Sequence, residues 1–170
     1  IYTEKLLDGL KEREIPATFF LIGKNIEGNE GLVKRMQKEG HLIGNHTYHH
    51  VNLKKISESQ AKEEILLTCN KIYENTGVCP SFVRPPFGAW RQNLDFQITM
   101  FPVSWNVDSL DWTTENTEKI VKRVVKDVQE GDIILMHDIF QSSVDAALQV
   151  ADILEEQGYE FVTVEELLLE

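Results

Sequence analysis

Three of the chain's five histidines, His46, His49 and His50, fall within five consecutive positions of the segment GNHTYHH, residues 44–50. His46 and His50 are four apart, so a helix beginning there would place their Cβ atoms about 5–6 Å apart on one face, within reach of one ion. Zinc–nitrogen bonds of about 2.0–2.1 Å suit such a pair, although two histidines alone do not complete a zinc site. A single histidine at an exposed helix start would carry no such message; the clustering does. Three further segments hold residue types with chemistry. In VRPPFGAW, residues 83–90, two prolines fix a turn and cannot donate backbone hydrogen bonds, so Arg84 is aimed from a rigid loop. NVDSLDW, residues 106–112, sets Asp108 and Asp111 three apart beside Trp112. That pattern suits sugar stacking or a carboxylate that orients a histidine, and it also suits a helix-capping Asp. ILMHD, ending at Asp138, puts His137, a proton donor near neutral pH, just after a buried run.

These residues need elements to hold them. Residues 3–13 carry apolar side chains on one helical face with Thr3 as a cap, and Pro16 ends that helix before the β-rich run ATFFLIG. Residues 29–38 are amphipathic and stop at Gly40, followed by a short strand over 41–45. The longest helix opens on a capping-box pattern, Ser57 with Gln60, and runs to Gly77. A strand then leads into VRPPFG. Residues 101–107, 132–137 and 160–164 read as further strands, separated by helices over 117–129 and 143–157. Six buried strands alternating with helices predict parallel pairing in an α/β fold, an open doubly wound sheet or an incomplete barrel. Ligands in such folds collect at the carboxyl ends of strands, and His46, His50, Arg84, Asp108, Asp111 and His137 all follow predicted strand ends.

The 170 residues, 42% hydrophobic, suffice for one soluble domain spanning 1–170. Its apolar runs are far shorter than the roughly 18 residues of a membrane span. Seventeen basic against 28 acidic residues, a net charge of −11, disfavour nucleic acid and anionic lipid as partners and favour a neutral or cationic substrate. Cys69 and Cys79 match no common zinc spacing and read as two thiols or one loose pair.

NHTYHH, RPPFG, DSLDW and LMH, in this order and spacing, resemble the second to fifth motifs of the polysaccharide deacetylases of carbohydrate esterase family four, the NodB-homology domains. The resemblance covers nearly the whole chain and is greatest to bacterial peptidoglycan N-acetylglucosamine deacetylases. It implies a distorted, incomplete (β/α) barrel and metal-dependent removal of acetyl from N-acetylglucosamine in peptidoglycan or a chitin-like glycan. By position, it makes His46 and His50 the metal ligands and Thr47 the small hydroxyl residue of their loop, and leaves His49 without a role. Arg84 would orient the catalytic base, and the Phe87 amide would hold the oxyanion where many relatives carry Tyr. Asp111 would tune the general acid His137 from within hydrogen-bond reach, with Trp112 lining the glycan groove and Leu135 the acetyl pocket. The implied ion is zinc, with another divalent transition metal such as cobalt as a substitute. The implied setting is a monomer, extracellular or on the bacterial cell surface, with no membrane contact by this domain.

The family's first motif, Thr-Phe-Asp-Asp-Gly, supplies the catalytic base and the third metal ligand, and no Asp-Asp-Gly occurs in residues 1–170. Because residue 1 already reads as part of a helix, the motif and its strand are expected upstream. An O-acetyl xylan esterase and a non-catalytic glycan-binding domain of the same fold are the alternatives.

Overall fold

The computed structural model describes residues 2–91, 94 and 100–169. They form two compact units, one of residues 18–104 and one of residues 1–17 with 105–170. The first holds a four-stranded parallel sheet in sequence order, β1 (Thr18–Leu21), β2 (Leu42–Asn45), β3 (Phe82–Val83) and β4 (Phe101–Pro102). Helix α2 (Glu30–Lys38) connects β1 to β2, and α3 (Glu58–Thr76) connects β2 to β3. Parallel neighbours require such crossovers, which explains why the strands alternate with amphipathic helices. Register is set along β1 and β2, from Thr18 opposite Leu42 to Leu21 opposite Asn45. Gly44 permits that closeness, since a Cβ there would lie 2.5 Å from the Phe20 ring. Helix α3 begins at the expected capping box of Ser57 and Gln60 and ends on Gly77 at φ 72°. Its Ala61, Ile65 and Cys69 pack with Leu53, Val83 and Met100, while Ile72 packs with Ile26 and Val33.

The other unit contains α1 (Tyr2–Glu12), β5 (Val107–Asp108), α4 (Thr117–Asp127), β6 (Ile134–Leu135), α5 (Gln141–Glu156) and α6 (Val164–Leu169). Strands β5 and β6 pair in parallel, Val107 opposite Ile134 and Asp108 opposite Leu135. Ile120, Val121 and Val124 of α4 meet Ala146, Val150 and Leu154 of α5 over Val107, and this is the unit's core. Among the described residues no helix is long and apolar enough to cross a membrane.

The structure bears out the α/β class and the parallel pairing, and it corrects three local expectations. The single strand over 101–107 is two strands in different units, β4 and β5, with Ser104, Trp105 and Asn106 between them. Residues 160–164 form no strand, and Val164 begins α6. There the Thr163 amide and hydroxyl both donate to Glu166 Oε2, and the Glu166 amide donates back to Thr163 Oγ1. This reciprocal helix start outweighs the β-branched pattern of Val162, Thr163 and Val164. Thr3 lies inside α1 rather than capping it, and its hydroxyl donates to the Asp138 carboxylate.

Candidate functional site

The histidine cluster follows β2, as expected, but residues 46–50 form no helix. Two residues with positive φ, Thr47 at 63° and His50 at 59°, fold them into a turn instead. Such a turn shortens the path between positions 46 and 50 as a helix would, and the two rings meet edge to face with centroids 4.8 Å apart. The turn's backbone is held from several sides. The His46 amide donates to Leu21 O, the Gly23 amide to Thr47 O and the Lys24 amide to Tyr48 O. Gly23 is needed for that approach, because a Cβ would stand 2.5 Å from the Tyr48 ring and 2.6 Å from Thr68 Oγ1.

His46 Nδ1 bonds to the Arg84 carbonyl oxygen. A carbonyl only accepts, so Nδ1 carries the proton and, in the neutral ring, Nε2 carries the lone pair. This is the outer bond that metal-ligating histidines make. The His50 ring packs against Phe87 with centroids 5.0 Å apart. Two imidazoles, one already fixed in a ligating tautomer, fit a divalent transition ion as part of a donor set. Among the described residues no group of three His, Cys, Asp or Glu side chains is placed to hold an ion. His49 turns elsewhere, its amide and Nδ1 both bonding to the Glu64 carboxylate at 2.7 and 2.6 Å.

Arg84 follows β3, its amide donating to Asn45 O. The side chain is buried with its Cζ 4.4 Å above the centroid of the Phe20 ring, and Nη2 donates to Ser104 O at 3.2 Å. Burial pulls the guanidinium down to about 10, still charged at neutral pH. Phe87 sits in the turn that Pro85 and Pro86 start, at φ 60° and ψ 16°, with its ring 69% exposed. The ring packs edge to face on His50 and is otherwise open to solvent.

In the other unit β5 and β6 present Asp111 and His137 to one another. Asp111 is fully buried and accepts from His137 twice, from the backbone amide at 2.7 Å and from Nδ1 at 2.8 Å. Burial pushes its carboxyl up, but the bonds from His137 hold it below the usual range. The same contact holds the imidazolium of His137 above its ordinary range against the opposing effect of burial. Asp108 serves a local purpose, its Oδ1 accepting from the Leu110 amide, and Leu110 takes φ 51° to turn the chain into Asp111. Trp112, 56% exposed, follows on the surface, and Leu135 is buried in β6.

Four of the five described non-glycine residues with positive φ, Thr47, His50, Phe87 and Leu110, lie in the motif segments. Each such backbone costs about 1–3 kcal/mol and persists only where surroundings over-determine it, a concentration typical of functional sites. The structure also shows residues that reading the motifs did not identify. Asn45, Glu64 and Phe20 hold the histidine turn and Arg84. Asn45 alone had a local signal, since Asn two residues before a turn residue bonds its amide.

The polysaccharide deacetylase family model matches residues 1–98. The peptidoglycan-N-acetylglucosamine deacetylase PgdA of Listeria monocytogenes is 38% identical over 165 residues, 97% of this chain and 35% of that protein. The peptidoglycan-N-acetylmuramic acid deacetylase PdaC of Bacillus subtilis is also 38% identical over 165 residues, with the same shares. The solved structure of the B. subtilis peptidoglycan deacetylase PdaC superposes with a TM-score of 0.93 at 38% identity, covering 98% of this chain and 82% of that one. The chain thus spans about a third of the length of these two curated relatives.

Proposed function

The chain belongs to the polysaccharide deacetylase family, and from that premise we propose that its protein hydrolyses the N-acetyl group of N-acetylglucosamine residues in peptidoglycan, releasing acetate and a free amino sugar. The observation that carries the reading is the double hold of Asp111 on His137. Cleaving an amide requires a proton at the leaving nitrogen, and an imidazolium sustained by a buried carboxylate supplies one near neutral pH. With Nδ1 bonded to Asp111, His137 donates from Nε2. Electrons from the broken C–N bond go to the nitrogen, which leaves as the protonated or neutral amine.

His46 and His50 would hold zinc, or cobalt in its place, within a larger donor set. The bound ion would supply Lewis-acid polarisation of the acetyl carbonyl and a water acidic enough to ionise near neutral pH. His46 meets that role by presenting Nε2 while the Arg84 carbonyl fixes Nδ1–H. The Phe87 amide, in its constrained turn, would donate to the oxyanion of the tetrahedral intermediate, and one such donor contributes about 2.7–4 kcal/mol. Trp112, broad and exposed, would stack on a sugar ring, and Leu135 would border the acetyl methyl. Arg84, stacked on Phe20, would orient the carboxylate that takes the proton from water. Residues 1–170 contain no Asp-Asp-Gly to provide that carboxylate. The setting is the bacterial cell surface, where peptidoglycan is found.

His137→Ala tests the reading. It should reduce acetate release by about 10²–10⁴-fold, the usual contribution of a general acid. A folded His137→Ala protein with activity near that of the parent would refute it.

A further inference from the structure

We propose that Asn45 is the positioning residue of the His46 and His50 pair, its carboxamide tying the strained turn that carries both imidazoles to helix α3. Asn45 ends β2 and is 0% exposed. Its Oδ1 accepts from the Thr47 amide at 2.9 Å. Its Nδ2 donates to Ile65 O at 2.9 Å and to Cys69 Sγ at 3.2 Å, both on α3. Its backbone carbonyl accepts from Arg84 N, the residue whose own carbonyl fixes His46 Nδ1. Every polar atom of this side chain is therefore engaged, and each bond leads either to the turn or to its support.

The turn needs that support. Thr47 is β-branched, and φ 63° is an outlier conformation for such a residue. Left to its own preference Thr47 would return to an extended conformation, swinging His50 away from His46. The Oδ1 bond opposes this by closing an Asx turn on Thr47, and the Nδ2 bonds prevent the carboxamide from following Thr47 outward. Helix α3 is a firm anchor, with Ile65 and Cys69 packed in the core. Burial pushes the Cys69 thiol up to about 11, so it stays a neutral acceptor for Nδ2. Asn is the one side chain of this length that offers an acceptor and two amide donors without charge.

The inference rests on reading the two histidines as metal ligands, so its test carries one readout with zinc and one without. In the full-length protein, zinc affinity is measured by chelator competition. In the metal-free protein, ¹H–¹⁵N spectra of the imidazoles report the His46 Nδ1–H that the Arg84 carbonyl protects. Asn45→Ala should weaken zinc binding about tenfold or more and expose that proton to exchange, with the rest of the spectrum folded. Ile72→Ala, a core truncation elsewhere on α3, should lower the melting temperature but leave both readouts within about twofold. Should Asn45→Ala fail to fold, Asn45→Ser decides by the same signals, since a hydroxyl near Thr47 cannot span to Ile65 and Cys69. A lowered melting temperature with unchanged zinc affinity and an unchanged ring signal would overturn the proposal. If the parent bound no zinc, the metal reading would fall, while the ring signal of the metal-free variants would still decide the role of Asn45.

Discussion

Replacing Asp111 by Asn removes one charge from the most defined contact in the proposed machinery while preserving its shape. Asp111 accepts from His137 at 2.7 Å and 2.8 Å with no solvent exposure. A hydrogen bond to a charged group contributes about 1.5–3 kcal/mol. The His137 side chain retains 35% exposure, so solvent screens part of the ring's share, and the expected cost of Asp111→Asn is about 2–3 kcal/mol near pH 6. The pH dependence has a definite sign. His137 is raised above its ordinary 6.5, so its contribution is complete below that value and is lost as pH rises through the folded pKa. Asp111 is depressed below its ordinary 3.8, so its contribution is present above that value and is lost as pH falls through the folded pKa. The stability difference between parent and variant should therefore be greatest between about pH 4 and 6.5 and shrink on either side, as urea midpoints across pH would show. In activity, the variant's neutral amide brings no charge to sustain the imidazolium of His137. The alkaline limb of the pH–rate profile should move to lower pH, with the maximum rate falling by about 10²-fold or more. An alkaline limb superimposable on that of the parent would remove Asp111 from the chemistry.

His50→Ala should lose zinc measured by metal analysis, whereas His49→Ala, whose ring pairs with Glu64, should keep it; the reverse result would reassign the ligands. Arg84→Lys should destabilise by about 1–3 kcal/mol in urea titrations, because an ammonium cannot reproduce a flat stack on Phe20 together with a bond to Ser104 O. Ser57→Ala should cost about 1 kcal/mol by removing one arm of the capping box of α3, with acetate release unchanged when assayed well below the unfolding temperature.

The helices were legible where their ends carry local chemistry. Ser57 with Gln60, and Gly77 at positive φ, bound α3 as expected. The strand-end placement of His46, Arg84 and His137 followed from periodicity, because parallel strands are buried on both faces and read as apolar runs. Residues 46–50 exposed a limit of spacing arguments. Four positions of separation brought the rings of His46 and His50 together as expected, but through two positive-φ residues, and nothing in a Thr or a His announces that conformation. Asp111 and His137 were paired by resemblance and by type, whereas the second bond, from the His137 backbone, depends on the register of β5 with β6 and has no sequence signal. The strand expected over 160–164 failed because β-branched residues and a reciprocal Thr163 and Glu166 helix start occupy the same few positions, and the capping bonds prevail. Glu64 and Phe20 belong to the turn's support only through contacts 15 and 64 residues distant in sequence, from Glu64 to His49 and from Phe20 to Arg84, and such contacts exist only after folding.

The proposed reaction is removal of acetyl from nitrogen on N-acetylglucosamine. The most direct measurement incubates the full-length protein with peptidoglycan, quantifies acetate and free amine together, and locates the deacetylated sugar by mass spectrometry of the digested glycan, with acetylxylan in parallel. The proposed reaction yields acetate and amine in equal amounts, the amine on glucosamine, and little acetate from xylan. Acetate without new amine, amine confined to muramic acid, or no acetate at any enzyme concentration would contradict it.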